Sequence, residues 1–466
     1  MLESFMKIQT INPATEEVLQ NYSLYKQEKV TDLIEAAHVC YQSWRKTDFK
    51  TRQQLMHTLA TLLRLKSDEF ATLMACEMGK PVSAGKAEIL KCAWVCEHYA
   101  DNAENYLASK IIKTEHHKSM VSYQPKGVVF AIMPWNYPFW QVFRFAAPTI
   151  MAGNSAILKH APISTGSGNA IAALFIEAGF PPYLFQHFIL DNALAATVIA
   201  HDKIVGVTLT GSEQAGSIVA ANAASHLKKA VLELGGNDPY VILSDADLTQ
   251  AAQCIVTSRL SNSGQVCIAA KRIIAVREIS DELTNLIIQL VKGYQLGDPL
   301  DPTTTFGPMA RQDLRSNVHR QVQDSITKGA HLLVGGVIPQ RRGFYYPPTI
   351  LTNVKPGMPA FDDELFGPVI SIIVADDETQ AIQLANQSKY GLGAAVFTRN
   401  LARGEQIATY EIDAGSCFVN GFVTSDPRLP FGGIKRSGFG RELSQEGILE
   451  FVNIKTIVIN KTLTNE

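Results

Sequence analysis

The hydrophobic pattern changes character near residue 128. Between about 31 and 108, apolar residues recur at intervals of three and four, which predicts three helices. From Val128 onward, short continuous apolar runs alternate with longer amphipathic segments. Buried strands that alternate with helices are typical of a parallel sheet covered by helices, so we expect an α/β fold.

The same pattern places individual elements along the chain. The predicted strands and helices of the middle region are a strand at 128–133, a helix from about 138, a strand at 155–159, a helix at 164–178, a strand at 205–210, a helix at 212–224, a strand at 230–234, a helix at 247–260 and a strand at 272–276. Residues 109–125 alternate like a hairpin with the pair His116–His117 at its tip. Residues 451–459 alternate weakly and predict an edge strand that could pair with another subunit.

Composition narrows the class of protein. A chain of 466 residues with 46% hydrophobic and 18% charged residues suggests two or three folded domains. The net charge is −2 and no basic run stands out, which argues against nucleic-acid and membrane-surface binding. No apolar window reaches the length of a membrane helix, and we see no signal peptide. Seven scattered cysteines indicate a reducing compartment, so we expect a cytoplasmic protein.

One of these cysteines is a candidate nucleophile. Cys267 closes the stretch Asn262–Cys267, although a lone cysteine is more often a small buried hydrophobe. A nucleophile also needs an oxyanion donor and a base. Asn136, in a turn between two prolines, presents an amide. Glu233, before two glycines and among apolar residues, suits a general base with a raised pKa, though a salt-bridged structural acid is the alternative.

A phosphate-binding site is predicted at the start of a helix. Gly211 and Ser212 follow a buried strand and open the next helix, where free N–H groups could face a pyrophosphate; a plain helix cap is the alternative. Lys159 ends another strand and could reach ribose or phosphate, or could simply be solvated. The glycine pattern of a common dinucleotide fingerprint is absent, and no lysine follows Gly216 as an ATP-binding loop would require.

Five motifs occur together and in order: Pro134-Trp-Asn-Tyr-Pro138, Leu232-Glu-Leu-Gly-Gly236, Gly264-Gln-Val-Cys267, Glu364-Leu-Phe-Gly-Pro368 and Pro430-Phe-Gly-Gly-Ile-Lys-Arg-Ser-Gly438. In this combination the chain resembles the aldehyde dehydrogenase superfamily, from the Asn12-Pro13-Ala14-Thr15 turn to the segment ending at Leu443. The resemblance implies that Cys267 attacks an aldehyde, that Asn136 and the Cys267 N–H hold the oxyanion, and that Glu233 activates water to hydrolyse the thioester.

The resemblance also implies NAD or NADP as cofactor, with a set of binding residues. Lys159 and Glu364 would hold the two riboses, Ser212 the pyrophosphate, and Phe366 would pack near the nicotinamide ribose. The full set is Lys159, Gly211, Ser212, Trp135, Glu364 and Phe366. NAD-preferring members carry a glutamate where this chain has Pro162, so neither a repelling carboxylate nor an extra phosphate donor is present. We expect either cofactor, with a slight preference for NAD.

The implied architecture is two Rossmann-like α/β domains and a small β arm for oligomerisation. We expect a nucleotide-binding domain from 1–108 and 126–234 and a catalytic domain from 235–430. Residues 109–125 and 431–466 would form the arm and C-terminal segment. Homodimers or homotetramers follow from this resemblance.

Within the superfamily the chain is most similar to the shorter bacterial succinate-semialdehyde dehydrogenases. Arg144 lies where those enzymes grip the substrate carboxylate, the alternative being a helix-surface arginine. Ser261 stands where many members carry a second arginine, and the nearby Arg259 is expected to face elsewhere. Ser425 would add a hydroxyl contact. Other short semialdehydes or aliphatic aldehydes stay open, because a methylene changes binding by only about 1–3 kcal/mol.

Two other classes of function compete with a dehydrogenase. A nucleotide-independent cysteine acyltransferase or hydrolase would use Cys267 alone, but no histidine base stands in a recognisable motif. A catalytically idle binding protein would not need Asn136, Glu233 and Cys267 together.

Overall fold

The computed structural model describes residues 7–461. The elements of the first half are β1 (Lys7–Ile11), β2 (Val18–Ser23), α1 (Gln27–Trp44), α2 (Phe49–Leu65), α3 (Ser67–Met78), α4 (Val82–Tyr106), β3 (Lys110–Ile112), β4 (Lys118–Pro125), β5 (Val128–Met133), α5 (Trp140–Met151), β6 (Ser155–His160), α6 (Thr165–Glu177), β7 (Phe185–His187), α7 (Asn192–Ala200), β8 (Ile204–Thr210), α8 (Glu213–Ser225) and β9 (Lys229–Glu233).

The elements of the second half are β10 (Pro239–Ile242), α9 (Leu248–Leu260), β11 (Arg272–Val276), α10 (Arg277–Val291), α11 (Gln312–Thr327), β12 (His331–Val334), β13 (Thr349–Thr352), α12 (Pro359–Asp362), β14 (Val369–Ala375), α13 (Glu378–Asn386), β15 (Tyr390–Gly391), β16 (Gly393–Phe397), α14 (Leu401–Tyr410), β17 (Ser416–Val419), β18 (Ile434–Lys435), β19 (Gly438–Phe439), α15 (Ser444–Leu449) and β20 (Val452–Ile459). Short 3-10 helices lie at Pro162–Ser164 and Ser261–Gly264.

The predicted number of N-terminal helices is wrong. Four helices, α1 to α4, precede the hairpin instead of three. The unforeseen break is at Lys66, whose backbone leaves the helical region between α2 and α3. No proline or glycine lies at this break, and the helical spacing of apolar residues continues from α2 into α3. α3 ends at Met78, where Gly79 takes a left-handed conformation with φ of 77°.

The first sheet brings the predicted nucleotide-binding elements together. Its strand order is β19-β9-β8-β5-β6-β7, and every pair is parallel except β19 with β9. Ile132 pairs with both Lys159 and Leu209, and Thr210 pairs with Glu233. The carboxyl ends of β5, β6, β8 and β9 therefore share one edge of the sheet, where α/β proteins bind ligands.

The second sheet carries the nucleophile segment at its own strand ends. Its order is β12-β13-β14-β11-β10-β16-β17, with only β12 antiparallel to its neighbour. The apolar faces of its strands form a large core with α9, α10 and α11. The segment from Ser261 to Lys271 connects α9 to β11 in front of this core. Two parallel sheets covered by helices confirm the α/β class.

The predicted hairpin and the predicted C-terminal strand form a separate three-stranded sheet. The hairpin β3–β4 pairs through β4 with the full length of β20, all antiparallel. The pair His116–His117 lies in the exposed connection of the hairpin, as predicted. β20 lies at the edge of this sheet, so the predicted edge strand is also correct. Within residues 7–461, no helix is long and apolar enough to cross a membrane.

Candidate active site

The backbone of the Cys267 segment is tightly wound and requires glycine. Asn262, Ser263 and Gly264 all have positive φ, at 49°, 55° and 76°. A Cβ on Gly264 would lie 2.3 Å from the backbone carbon of Gly367. This turn ends the helical segment and leads directly to Cys267. Cys267 therefore lies in the connection that follows the end of α9.

Arg259 stabilises this segment through hydrogen bonds to backbone carbonyl oxygens. It is fully buried and donates to the carbonyl oxygens of Val369 at 2.5 Å, Leu365 at 2.6 Å and Gly264 at 3.2 Å. None of its bonds points to the space in front of Cys267. Arg259 thus faces elsewhere, as predicted, and ties the nucleophile segment to the chain on either side of Phe366.

Asn136 lies against the same segment. Its side-chain amide donates to the Gln265 carbonyl at 3.0 Å, and its own carbonyl accepts from the Asn262 amide at 2.8 Å. The turn after β5 and the turn after α9 are therefore locked together by two reciprocal bonds. The structure brings the predicted amide donor and the predicted nucleophile to one place.

Cys267 lies between two cavities. The smaller cavity, of about 240 Å³, lies over the strand ends of the first sheet. The larger cavity, of about 340 Å³, lies between α4, α5 and the loop that carries Ser425. Cys267 lines both. A thiol in that position can meet one molecule from each side.

The smaller cavity collects most of the predicted cofactor residues. Those that line it are Trp135, Gly211, Ser212, Glu364 and Phe366. The rings of Trp135 and Phe366 stand perpendicular, with their centres 5.8 Å apart. Gly235 is required beside Glu364, since a Cβ there would lie 2.2 Å from its carboxylate. Sequence reasoning missed Leu314 and Gln141, which also line this cavity but carry no local signal.

Ser212 and Lys159 take the positions expected of them at the strand ends. The Ser212 oxygen accepts the Ala215 N–H at 3.2 Å, so Ser212 caps α8 while its own O–H remains a donor. Lys159 is buried, and burial lowers its pKa while the charge of Asp191 opposes this. Within the described residues its ammonium has no hydrogen bond. Lys159 does not line the smaller cavity, whereas Ser212 does.

The larger cavity contains all three predicted substrate residues. Arg144, Ser261 and Ser425 line it together with Cys267. Ser261 is exposed at its mouth and Ser425 is buried. Sequence reasoning missed Lys80 and Lys91, two further cations in the same wall. Both lie around α4, far from every motif, so no local pattern could assign them to this cavity.

Arg144 is not a helix-surface residue. It is 2% exposed and its Nε forms an ion pair with the Glu442 carboxylate. Its guanidinium lies 4.6 Å over the ring of Phe431 and 3.4 Å from the Thr210 hydroxyl. Sequence reasoning did not predict Glu442 as its partner, although Glu442 lies in the segment that ends the resemblance at Leu443. Arg144 therefore reaches the cavity with one carboxylate already beside it.

The thiol of Cys267 is held in its neutral form. Burial raises the pKa of Cys267 to about 11, while the charges of Lys271 and Arg144 oppose that rise. Lys271 is a contact that sequence reasoning missed. Its ammonium bonds the Cys267 carbonyl and lies 3.1 Å from the Glu364 carboxylate. A lysine four residues after the cysteine carries no signal on its own, so only the fold reveals this link.

Glu233 lies behind the cavity walls. It is 2% exposed, and both carboxylate oxygens lack a hydrogen-bond partner among the described residues. Burial raises the pKa of Glu233 well above its usual value, with the charge of Arg144 opposing. Within residues 7–461 it forms no ion pair, which argues against the salt-bridged alternative. Its carboxylate lies near Gly432, where a Cβ would come within 2.9 Å, and lines neither cavity.

No metal centre accompanies these residues. Among residues 7–461, no three histidine, cysteine or acidic side chains stand close enough to hold a metal ion. The residues around the two cavities offer a thiol, an amide, a carboxylate and several cations.

Known proteins resemble this chain over its full length. The model of the aldehyde dehydrogenase family matches residues 2–457. A probable succinate-semialdehyde dehydrogenase [NADP(+)] of Synechocystis sp. is 46% identical over 97% of this chain and 100% of its own. A succinate semialdehyde dehydrogenase [NAD(P)+] of Escherichia coli is 42% identical over 96% of this chain and 97% of its own.

A solved structure has the same fold. The crystal structure of succinic semialdehyde dehydrogenase from Streptococcus pyogenes, in complex with NADP+ as the cofactor, superposes with a TM-score of 0.95. It is 38% identical and the match covers 97% of this chain and 100% of that one. The predicted resemblance, the fold and the class of enzyme are confirmed by these matches.

Proposed function

The chain belongs to the aldehyde dehydrogenase family, and we propose that it oxidises succinate semialdehyde to succinate with NAD or NADP. The observation that supports this most is the position of Cys267 between two cavities. One is lined by residues suited to a dinucleotide and the other by cations suited to a short acidic aldehyde. An acyltransferase without a nucleotide would leave the smaller cavity without a role.

The donors around the smaller cavity fit a dinucleotide. Gly211 and Ser212 begin α8, where backbone N–H groups and the helix dipole favour a pyrophosphate. Glu364 can accept from ribose hydroxyls, and Trp135 and Phe366 offer ring surfaces for the nicotinamide end. Lys159 at the end of β6 would hold the second ribose. When bound, NAD(P)+ accepts a hydride from the reacting carbon.

Cys267 and Asn136 would carry the first half of the reaction. The thiol releases its proton to solvent water, and the sulfur attacks the aldehyde carbon, which becomes tetrahedral. The Asn136 amide and the Cys267 N–H then stabilise the oxyanion. Asn136 is suited to this role because the Gln265 and Asn262 bonds hold it beside the nucleophile segment. After oxidation of the carbon, the acyl group remains on Cys267 as a thioester.

Glu233 would serve the second half by activating water. Burial raises its pKa well above the usual value of a carboxylate, which makes it a stronger base toward water. Because its carboxylate lies behind the walls, we infer that it rotates about its side-chain bonds to reach a water next to the thioester. Gly432 leaves room beside this carboxylate. The water proton goes to Glu233 and the acid is released from Cys267.

The larger cavity favours a substrate with a carboxylate. Its volume, about 340 Å³, is at the lower end for ligand pockets, which suits a short molecule. Three cations, Lys80, Lys91 and Arg144, line its walls, and Lys80 and Arg144 are paired with Glu88 and Glu442. The Synechocystis, Escherichia coli and Streptococcus relatives are all named for succinate semialdehyde. Arg144 and Ser425 remain our proposed substrate contacts, with Ser261 at the cavity mouth.

The choice between NAD and NADP rests on few residues. The relatives are named for NADP(+) or NAD(P)+, so they give no support to the slight preference for NAD. Pro162 offers no carboxylate to repel a 2′-phosphate. We therefore propose that the protein accepts NADP as well as NAD.

Two broader features complete the proposal. The open edge of β20 carries exposed apolar residues, Ile454 and Val458, which suits pairing with another subunit in a homodimer or homotetramer. The domain boundaries expected from the resemblance stay a prediction. Thioester chemistry needs a reduced Cys267, which supports a cytoplasmic location.

One assay tests the proposed reaction. Purified protein is mixed with succinate semialdehyde and either NAD or NADP, and the absorbance of the reduced nicotinamide is followed. We expect signal with succinate semialdehyde, with Cys267→Ala as the inactive control. Absence of signal with both cofactors across a panel of short aldehydes would refute the dehydrogenase function. Acyl release from an ester without any cofactor would favour the acyltransferase class.

A further inference from the structure

The larger cavity contains three cations that differ in their partners. Lys80, Lys91 and Arg144 all line it, together with the single acid Glu88. A buried cation is stable only when a counter-charge or hydrogen bonds replace its lost water. The partners of each cation therefore show which charge is still available to a ligand.

Lys80 is already neutralised. Its ammonium pairs with Glu88, and both side chains are 1% exposed. The other oxygen of Glu88 accepts the N–H groups of Phe139 and Trp140, both at 2.9 Å, at the start of α5. Lys80 and Glu88 therefore hold the turn that leads from Asn136 into α5. Their charges cancel before a substrate arrives.

Arg144 is neutralised in the same way. Its Nε pairs with Glu442, which is itself buried. The remaining guanidinium surface stacks over Phe431. Arg144 contributes to the field of the cavity, but its pair with Glu442 has no net charge.

Lys91 has no such partner. Its ammonium donates to the Ser425 hydroxyl at 2.8 Å and lies 4.4 Å over the ring of Trp140. Among the described residues no carboxylate lies within ion-pair distance of it. Burial and the charge of Arg144 together lower the pKa of Lys91 to about 8, while the carboxylates of Asp426 and Glu88 oppose this shift. Among the described residues that line this cavity, Lys91 is thus the cation without an ion pair, and a hydroxyl and an aromatic ring hold it in place.

We propose that Lys91, with Ser425, is the principal contact for the substrate carboxylate. The ammonium supplies the counter-charge and the Ser425 hydroxyl a second donor, while Trp140 keeps the lysine side chain in position. This assignment rests on the proposed oxidation of an acidic aldehyde and goes beyond the arginine that the resemblance pointed to. Arg144, paired with Glu442, then orders the wall of the cavity.

The position of Lys91 on α4 supports this assignment. Ala84, Glu88 and Lys91 recur at helical spacing, so one face of α4 lines the cavity. The small side chain of Ala84 leaves the approach along this face open. Lys91 and Cys267 line the same cavity, so one short molecule can meet the ammonium with its carboxylate and the thiol with its aldehyde. A four-carbon semialdehyde has its two functional groups at opposite ends, as this arrangement requires.

The test compares two aldehydes of equal length. kcat/KM is measured for succinate semialdehyde and for butanal, and the ratio of the two reports recognition of the carboxylate. In Lys91→Met we expect this ratio to fall about 10- to 100-fold, the usual effect of losing a charge-assisted hydrogen bond. Lys91→Arg keeps the charge and should recover part of the ratio. Lys86→Met is the matched control, since Lys86 lies on the same helix but pairs with Asp68 at the surface.

The outcomes separate this assignment from the proposed function. A wild-type-like ratio in Lys91→Met, with succinate semialdehyde still oxidised, would refute the role of Lys91 and leave the dehydrogenase intact. A parallel fall for both aldehydes would show that Lys91 is only structural. If the wild-type protein oxidises neither aldehyde, the proposed function itself fails. Calorimetric binding of succinate to Cys267→Ala provides a readout without turnover, and we expect Lys91→Met to weaken it by a similar factor.

Discussion

The buried pair of Arg144 and Glu442 offers the sharpest test of the energetics around the site. Glu442→Gln removes the charge but keeps the shape of the side chain. It leaves Arg144 charged, 2% exposed and without its counter-ion, and an arginine cannot shed its proton to escape. Breaking a buried pair in this way costs about 3–5 kcal/mol.

Removing the arginine instead of the glutamate should lower the stability of the fold by a smaller amount. In Arg144→Met the stranded group is Glu442, whose pKa burial already raises above its usual value, so it can take up a proton. The double variant leaves no buried charge from the pair. We therefore expect Glu442→Gln to be the least stable protein, Arg144→Met to be intermediate, and the double variant to be more stable than Glu442→Gln.

Scanning calorimetry at a fixed scan rate measures these differences. The unfolding entropy is about 2.1 cal/mol/K per residue, so for 466 residues unfolding as one unit a loss of 1 kcal/mol lowers Tm by about 1 °C. Glu442→Gln should lower Tm by about 3–5 °C. Asp324→Asn is the control, because its pair with Arg320 is exposed and stabilises by less than about 1 kcal/mol. Equal effects of Glu442→Gln and Asp324→Asn, or additive losses in the double variant, would refute this reasoning.

Two further predictions concern the nucleophile segment. Burial raises the pKa of Cys267 to about 11, and only the thiolate reacts with iodoacetamide. The rate of alkylation should therefore increase about tenfold per pH unit from pH 7 to 10. A rate that levels off below pH 9 would contradict the neutral thiol. Arg259→Met leaves three buried carbonyl oxygens without their donor, and each lost bond costs about 1–3 kcal/mol of stability. Tm should therefore fall by several degrees, and kcat should decrease because the turn at Gly264 is held less firmly. An unchanged Tm would show that Arg259 does not stabilise this turn.

Much of the fold could be predicted because its signals are local. The strand at 272–276 and the helix from about 247 to 260 lie where apolar periodicity and a capping aspartate place them. The α2–α3 break at Lys66 could not be predicted, since no residue near it interrupts the periodicity. It arises from how the two helices pack against α4, which is a tertiary effect.

Only the site residues that belong to the recognised motifs could be predicted from the sequence. Asn136 and Cys267 were recognised through a set of motifs, and the fold brings their segments into direct contact. The pair of Lys91 with Ser425 spans 334 residues of sequence, and neither partner has a pattern that points to the other. Such a contact follows from the packing of α4 against the loop after β17, which no local rule describes.

The central claim is that Cys267 carries an acyl group which Glu233 helps water to remove. Its most direct test is rapid mixing of Glu233→Gln with succinate semialdehyde and NADP, followed by intact-mass analysis. We predict a rapid burst of about one reduced nicotinamide per active site, and a mass increase of one succinyl group that maps to Cys267. Turnover after the burst should be slow, and Cys267→Ala should show neither burst nor adduct. A Glu233→Gln protein with no burst and no adduct, or with wild-type steady-state turnover, would contradict the account.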